Sequence, residues 1–215
     1  MKQVPSDKYN VAWFKLAQYV ARREKERALG VYRLLSHSIS DQAYVRQLEG
    51  DILIAFNDEQ AELKYLQAAQ LYVQQQQLRH AVAMYEHVLL FQPHSVEYMR
   101  ALIELYIKLH KQERVDYMLE LLFDALANSS SVLQVAEHES LLAHAHAPST
   151  KIKIYERYLF TLLSRQASQE HIQRTLKTTI TILIEQSDAH QLQQFLMRLQ
   201  AQSPDCHAAA LDLLK

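Results

Sequence analysis

Apolar residues recur at three- and four-residue spacings along nearly the whole chain, and short polar connectors interrupt them. Over the first 127 residues this pattern predicts helices at about 8–22, 25–38, 41–56, 59–75, 78–92, 95–110 and 112–127. The connectors are only two to four residues long, so neighbouring helices are expected to run antiparallel as helical hairpins. The helix centres recur roughly every 16–18 residues, an even spacing that suits a repeat array. The polar run NSSS at 128–131 is the longest break. Beyond it the pattern predicts helices at about 132–146, 150–165, 168–187, 188–202 and 205–214. The expected organisation is a repeat region at 1–127 and a C-terminal helical segment at 128–215, made of degenerate repeats or capping helices.

Proline and polar residues mark the ends. Pro5 precedes Ser6 and Asp7, a candidate cap pair, and Pro148 precedes Ser149 and Thr150. Ser203 before Pro204 matches a serine N-cap with proline at the first helical position. Ser168 with His171, and Asp188, are further cap candidates.

The stretch 62–96 carries the clearest motif. Tyr65, Ala68, Ala69 and Tyr72 share one helix, Ala81, Tyr85 and Val88 the next, and Pro93 closes the unit. About 34 residues on come Met99, Leu102, Ile103 and Tyr106, then Val115, Leu119 and Leu122, with Ala127 where the proline would stand. A looser version has Trp13, Leu16, Ala17 and Val20 followed by Ala28, Tyr32 and Leu35. This pattern resembles the tetratricopeptide repeat. The resemblance implies an all-α fold, an α-α superhelix of antiparallel hairpins, with divergent C-terminal helices.

The register around 41–75 admits two parses. In one, 59–75 is the first helix of the unit closed by Pro93, 25–38 pairs with 41–56, and 8–22 is an N-terminal cap. In the other, 59–75 is a second helix paired with 41–56 through Val45, Leu48 and Ile52 against Ala61, Tyr65 and Ala68.

Composition points the same way. Only Gly30 and Gly50 occur, where average usage would give about fifteen glycines. Sheets turn tightly on glycine, so a chain this poor in it and rich in Ala, Leu, Gln and Glu is most simply helical. The apolar fraction of 49% supports a core, and a formal net charge of −1 gives no global pull toward nucleic acid or anionic membrane. Cys206 is the sole cysteine, so no intrachain disulfide forms. The N-terminus has no apolar leader and no run of about 18 apolar residues occurs, so a cytoplasmic protein is expected.

By the resemblance, the first helices of each hairpin line a concave groove that takes a peptide or protein segment. In the parse that makes 59–75 a first helix, favoured because Pro93 and the 34-residue echo both support it, that groove comprises Leu63, Leu66, Gln70 and Val73, then Glu97, Arg100, Glu104, Ile107 and Lys108. One subset of the family grips a C-terminal carboxylate with paired Lys and Asn. Here the matching positions are Phe14 and Gln18, Leu66 and Gln70, Arg100 and Glu104, and only Arg100 fits.

Other chemistry finds little support. His144 and His146 are two apart and point away from each other on a helix. His80, His87 and His94 share a face, but seven-residue spacing sets them about 10.5 Å apart, too far to chelate a metal together. They read as an exposed polar face. Cys206 beside His207 near a helix start reads as a packing residue, and two isolated glycines build no phosphate loop. The run at 22–27 is mixed in sign and reads as a solvated turn. Lys151, Lys153 and Arg157 form a small basic face without recurrence.

The sequence therefore predicts a non-catalytic scaffold or adapter for a protein or peptide partner, with no cofactor, metal, nucleic acid or membrane. The alternatives are a secretion- or assembly-type chaperone holding an apolar segment and, further off, a helical-repeat RNA binder. An apolar groove would favour the chaperone, a mixed-charge groove the adapter, and a continuous positive stripe RNA.

Overall fold

A computed structural model describes residues 7–128, 139–186 and 188–214. Among them the chain is all-α, in eleven α-helices. These are α1 (Asp7–Ala21), α2 (Lys25–Ser36), α3 (Gln42–Ala55), α4 (Gln60–Gln74), α5 (Leu78–Phe91), α6 (Val96–Lys108), α7 (Gln112–Ala127), α8 (Pro148–Ser164), α9 (Gln169–Glu185), α10 (Ala189–Gln202) and α11 (Pro204–Leu213). A short 3-10 segment, Glu139–His144, precedes α8. Pro5, Ser6 and residues 132–138 of the expected helix at 132–146 lie outside the described residues, and the rest of that expected helix is the 3-10 segment and two irregular residues. Two compact units result, Met1–Pro93 and His94–Lys215. The expected boundary at 127/128 falls inside the second.

The caps follow local chemistry. Asp41 accepts hydrogen bonds from the Ala43 and Tyr44 N–H groups, and Ser95 from that of Tyr98. The expected caps at Ser168, Asp188 and Ser203 are all present, each accepting from the backbone of the following first turn. Ser149 and Thr150 do not cap. α8 starts at Pro148, and the buried Asp116 of α7 instead accepts the N–H groups of His146 at 2.8 Å and Ala147 at 3.1 Å.

A glycine-poor chain still has to turn. It does so by placing ordinary residues in the left-handed region just past five helix ends: Arg23, Asn57, Gln76, His110 and Gln166, with φ between 52° and 61°. At each end the next residue's N–H reaches back to a carbonyl in the last turn, as Gln77 does to Tyr72 and Lys111 to Tyr106. These five turns join α1–α2, α3–α4, α4–α5, α6–α7 and α8–α9, the consecutive pairs whose backbones approach most closely. Arg23 and Asn57 are 34 residues apart, as are Gln76 and His110. The repeat is therefore present in two phases, and they meet at α4.

That resolves the register. Helix α4 buries Ala61, Tyr65, Ala68, Ala69 and Tyr72, enough apolar surface to pack against both α3 and α5. Each parse describes one side of α4, which closes one hairpin and opens the next, but helix 8–22, a cap in the first parse, is instead the hairpin partner of α2. The expected pairing of 25–38 with 41–56 is the looser contact, since α2 approaches α3 far less than α1 approaches α2. Leu16, Ala28, Tyr32, Leu35, Val45, Leu48 and Ile52 share the core of this N-terminal part. Ala17, expected inside, is exposed, and Tyr85 is half-buried.

Gly50 lets α3 and α4 close. A Cβ there would fall 2.8 Å from the Tyr65 ring, which is 1% exposed. The Tyr65 hydroxyl donates to Asp51 at 2.9 Å, and the Tyr72 hydroxyl to Gln47 at 2.7 Å. On the other side the Tyr65 ring stacks on His87 at 4.9 Å and Tyr72 on His80 at 5.1 Å. His80 is exposed, as expected of that polar face, while His87 is half-buried, and the two form the α5 side of a ladder that runs through Tyr72 and Tyr65 to Gln47 and Asp51 of α3. Burial pushes the Tyr72 hydroxyl up to about 12 and the Tyr65 and Tyr32 hydroxyls upward too, so all three remain donors. The run at 22–27 also does more than face solvent: Arg23 donates to the Ala55 carbonyl, and Lys25 pairs with Asp58, whose carboxyl it pulls below the ordinary range.

Candidate functional site

The second unit holds an open cleft of about 570 Å³ walled by α7, α8 and α10. Its shape follows from how α7 and α8 lie against each other. Glu120 meets Lys153, Asp124 meets Arg157, and the Ala127 carbonyl accepts from Arg165 at 2.9 Å. The partners advance together along both helices, so α7 and α8 run parallel. The chain between them returns to the start of α7, where Gln112 donates to the His144 carbonyl at 2.8 Å and Asp116 receives the backbone at 146–147.

Three ion pairs line the walls. Lys153 Nζ lies 3.3 Å from Glu120 Oε2, and Thr150 donates to the other oxygen of Glu120 at 3.0 Å. Arg157 pairs with Asp124. From α10, Arg198 reaches Glu156 at 2.7 Å and lies over the Phe160 ring, its guanidinium carbon 5.9 Å from the ring centre. Phe160 packs against Phe195 at 6.0 Å, and Phe123 meets Tyr158 edge-on at 6.0 Å, so aromatic packing fixes the floor. The Glu156 side chain is only 10% exposed. Burial raises its carboxyl above the ordinary range, and Arg198 offsets part of that rise. A smaller hollow of about 240 Å³ adjoins it and shares Lys153, Glu156 and Arg198, extending the cleft toward Ser149 and Gln191.

The groove residues expected from sequence sit elsewhere. Leu63, Leu66, Gln70 and Val73 belong to α4 in the first unit, where Leu63 and Gln70 are exposed and Leu66 and Val73 half-buried. Glu97, Arg100, Glu104, Ile107 and Lys108 lie on α6. Arg100 and Glu104 pair with each other at 3.2 Å, and none of the five lines the cleft. Of the residues singled out in the sequence, Lys153 and Arg157 do reach it, but each faces a carboxylate from α7, so the small basic face is neutralised. The signal that marks the cleft is the four-residue spacing of acids at Glu120 and Asp124 matched by cations at Lys153 and Arg157. Cys206 is buried at the start of α11.

Among the described residues, no group of three His, Cys, Asp or Glu side chains is placed to hold a metal ion, and no helix is long and apolar enough to cross a membrane. No protein-family model matches the chain, and no curated protein matches it.

Proposed function

We propose that this protein is a non-catalytic interaction module, an adapter built from tetratricopeptide-like helical hairpins that acts in the cytoplasm. The segment of a partner protein docks in the cleft between α7, α8 and α10. What supports this reading is the lining of that cleft: three ion pairs around an aromatic floor, in a preformed hollow of about 570 Å³. A preformed site spares the receptor's share of ordering entropy on binding. The polar, mixed-charge wall favours an adapter over a chaperone for apolar segments. The pairing of Lys153, Arg157 and Arg198 with carboxylates favours a protein partner over RNA.

The test is affinity capture with the full chain from extracts of its own cells. Gln202 is exposed and lines the cleft, so Gln202→Trp plugs the site without touching the core. The expected outcome is a protein retained by the unaltered chain and lost with Gln202→Trp. Recovery of nucleic acid with no protein would overturn the proposal.

A further inference from the structure

We infer that the cleft selects a partner segment of mixed charge and no net charge, carrying opposite charges about one helical turn apart. This deepens the docking reading and rests on it. Glu120 and Asp124 are four residues apart on α7, as are Lys153 and Arg157 on α8, so successive rungs are spaced by about 6 Å along the parallel helices. A third pair bridges α8 to the opposite wall, Glu156 with Arg198 of α10. The six charges cancel.

Each simpler ligand meets an obstacle. A polyacidic segment faces three carboxylates, and taking Arg198 for itself would strand Glu156, which is nearly buried and has Arg198 as its ion-pair partner. A polybasic segment faces Lys153, Arg157 and Arg198. An apolar segment would remove the exposed charged groups of the wall from water and give them no partner in return. An RNA backbone gains its affinity by releasing counterions from many phosphates, and a wall of zero net charge offers no such gain. A segment with alternating charge can exchange partners rung by rung, leaving no group unpaired. Lys153, the most exposed of the cations at 65% of the side chain, takes its carboxylate, while Arg198 stays with Glu156. Its cations reach Glu120 and Asp124.

The experiment uses the full chain and fluorescence anisotropy with labelled probes of equal length. The probes are a peptide with Glu and Lys one helical turn apart, an all-Glu peptide, an all-Lys peptide, a Leu-rich peptide and a single-stranded RNA. The mixed-charge peptide is expected to bind at least about tenfold tighter than the others. Its affinity should fall with added salt. Lys153→Glu should weaken it about tenfold, and Lys153→Met by less, with the circular dichroism of both variants unchanged. Tighter binding of any other probe overturns the inference. If that probe is a peptide and Gln202→Trp abolishes its binding, the docking reading survives. If no probe binds but Gln202→Trp still releases the cellular partner, only this inference falls. If neither happens, both fall.

Discussion

The two glycines allow the same substitution to be made twice, with opposite results. Both lie inside helices, Gly30 in α2 and Gly50 in α3. Alanine at an open helical position gains about 1 kcal/mol over glycine, chiefly because the unfolded chain has less freedom to lose. Nothing lies within 4 Å of a Cβ built at Gly30, so Gly30→Ala should realise that gain. At Gly50 the new methyl would stand 2.8, 2.9 and 3.2 Å from three carbons of the Tyr65 ring. That ring cannot simply swing away, because His87 stacks on it and Asp51 holds its hydroxyl. Overpacking of this kind costs about 1–3 kcal/mol, which cancels or outweighs the gain in helix propensity. The two variants should therefore differ by about 1–3 kcal/mol, the size of the overpacking penalty. The measurement is equilibrium unfolding in urea, followed through Trp13, the sole tryptophan, which packs against the core of the first unit. The midpoint should rise for Gly30→Ala and stay level or fall for Gly50→Ala, with an unchanged slope. A smaller ring partner should relieve the clash, so Gly50→Ala combined with Tyr65→Leu should lose less than the sum of the two singles. If Gly50→Ala stabilises as much as Gly30→Ala, Tyr65 is not wedged against α3 and the account of the α3–α4 interface fails.

Tyr72→Ala should cost about 3–5 kcal/mol in the same assay, and Tyr72→Phe about 1 kcal/mol for the lost bond to Gln47; a loss under about 0.5 kcal/mol for the alanine variant would place Tyr72 at the surface. Gln76 is exposed and left-handed, so Gln76→Gly should raise stability by about 1 kcal/mol, read as a higher urea midpoint. Glu156 holds its proton to higher pH when folded than when unfolded. Its contribution to stability is thus complete below its ordinary value of 4.5 and is lost as pH rises through the raised value. Glu156→Gln should flatten the part of a melting-temperature profile that falls as pH rises above 4.5. The residual slope should come in part from Asp51, whose carboxyl burial also raises.

The helices were legible because their apolar spacing is strong and because local chemistry sets the ends at Ser168, Asp188 and Ser203. The phase was not legible from a single period. Tyr65 and Ala68 satisfy two hairpins at once, and only packing shows that both are made. His80 and His87 carry no sequence mark of stacking, since the Tyr72 and Tyr65 rings that cover them come from the preceding helix. The cleft was hidden for a different reason. Its rungs join residues about 33 apart, and they align because α7 and α8 lie side by side in parallel. The expected helix at 132–146 already implies that 112–127 and 150–165 run the same way, but the apolar period does not say which of their polar faces meet.

A helix that serves two hairpins also sets how this unit comes apart. Opening α3 strips one side of α4, and opening α5 strips the other, so α3, α4 and α5 should open together as a single cooperative block. The lighter approach of α2 to α3, beside a crevice of about 420 Å³ lined by Tyr32 and Glu49, leaves the α1–α2 hairpin a lower-energy opening of its own. Native-state hydrogen exchange would then show amides across 42–91 converging on one opening free energy, with those of α1 and α2 exchanging earlier.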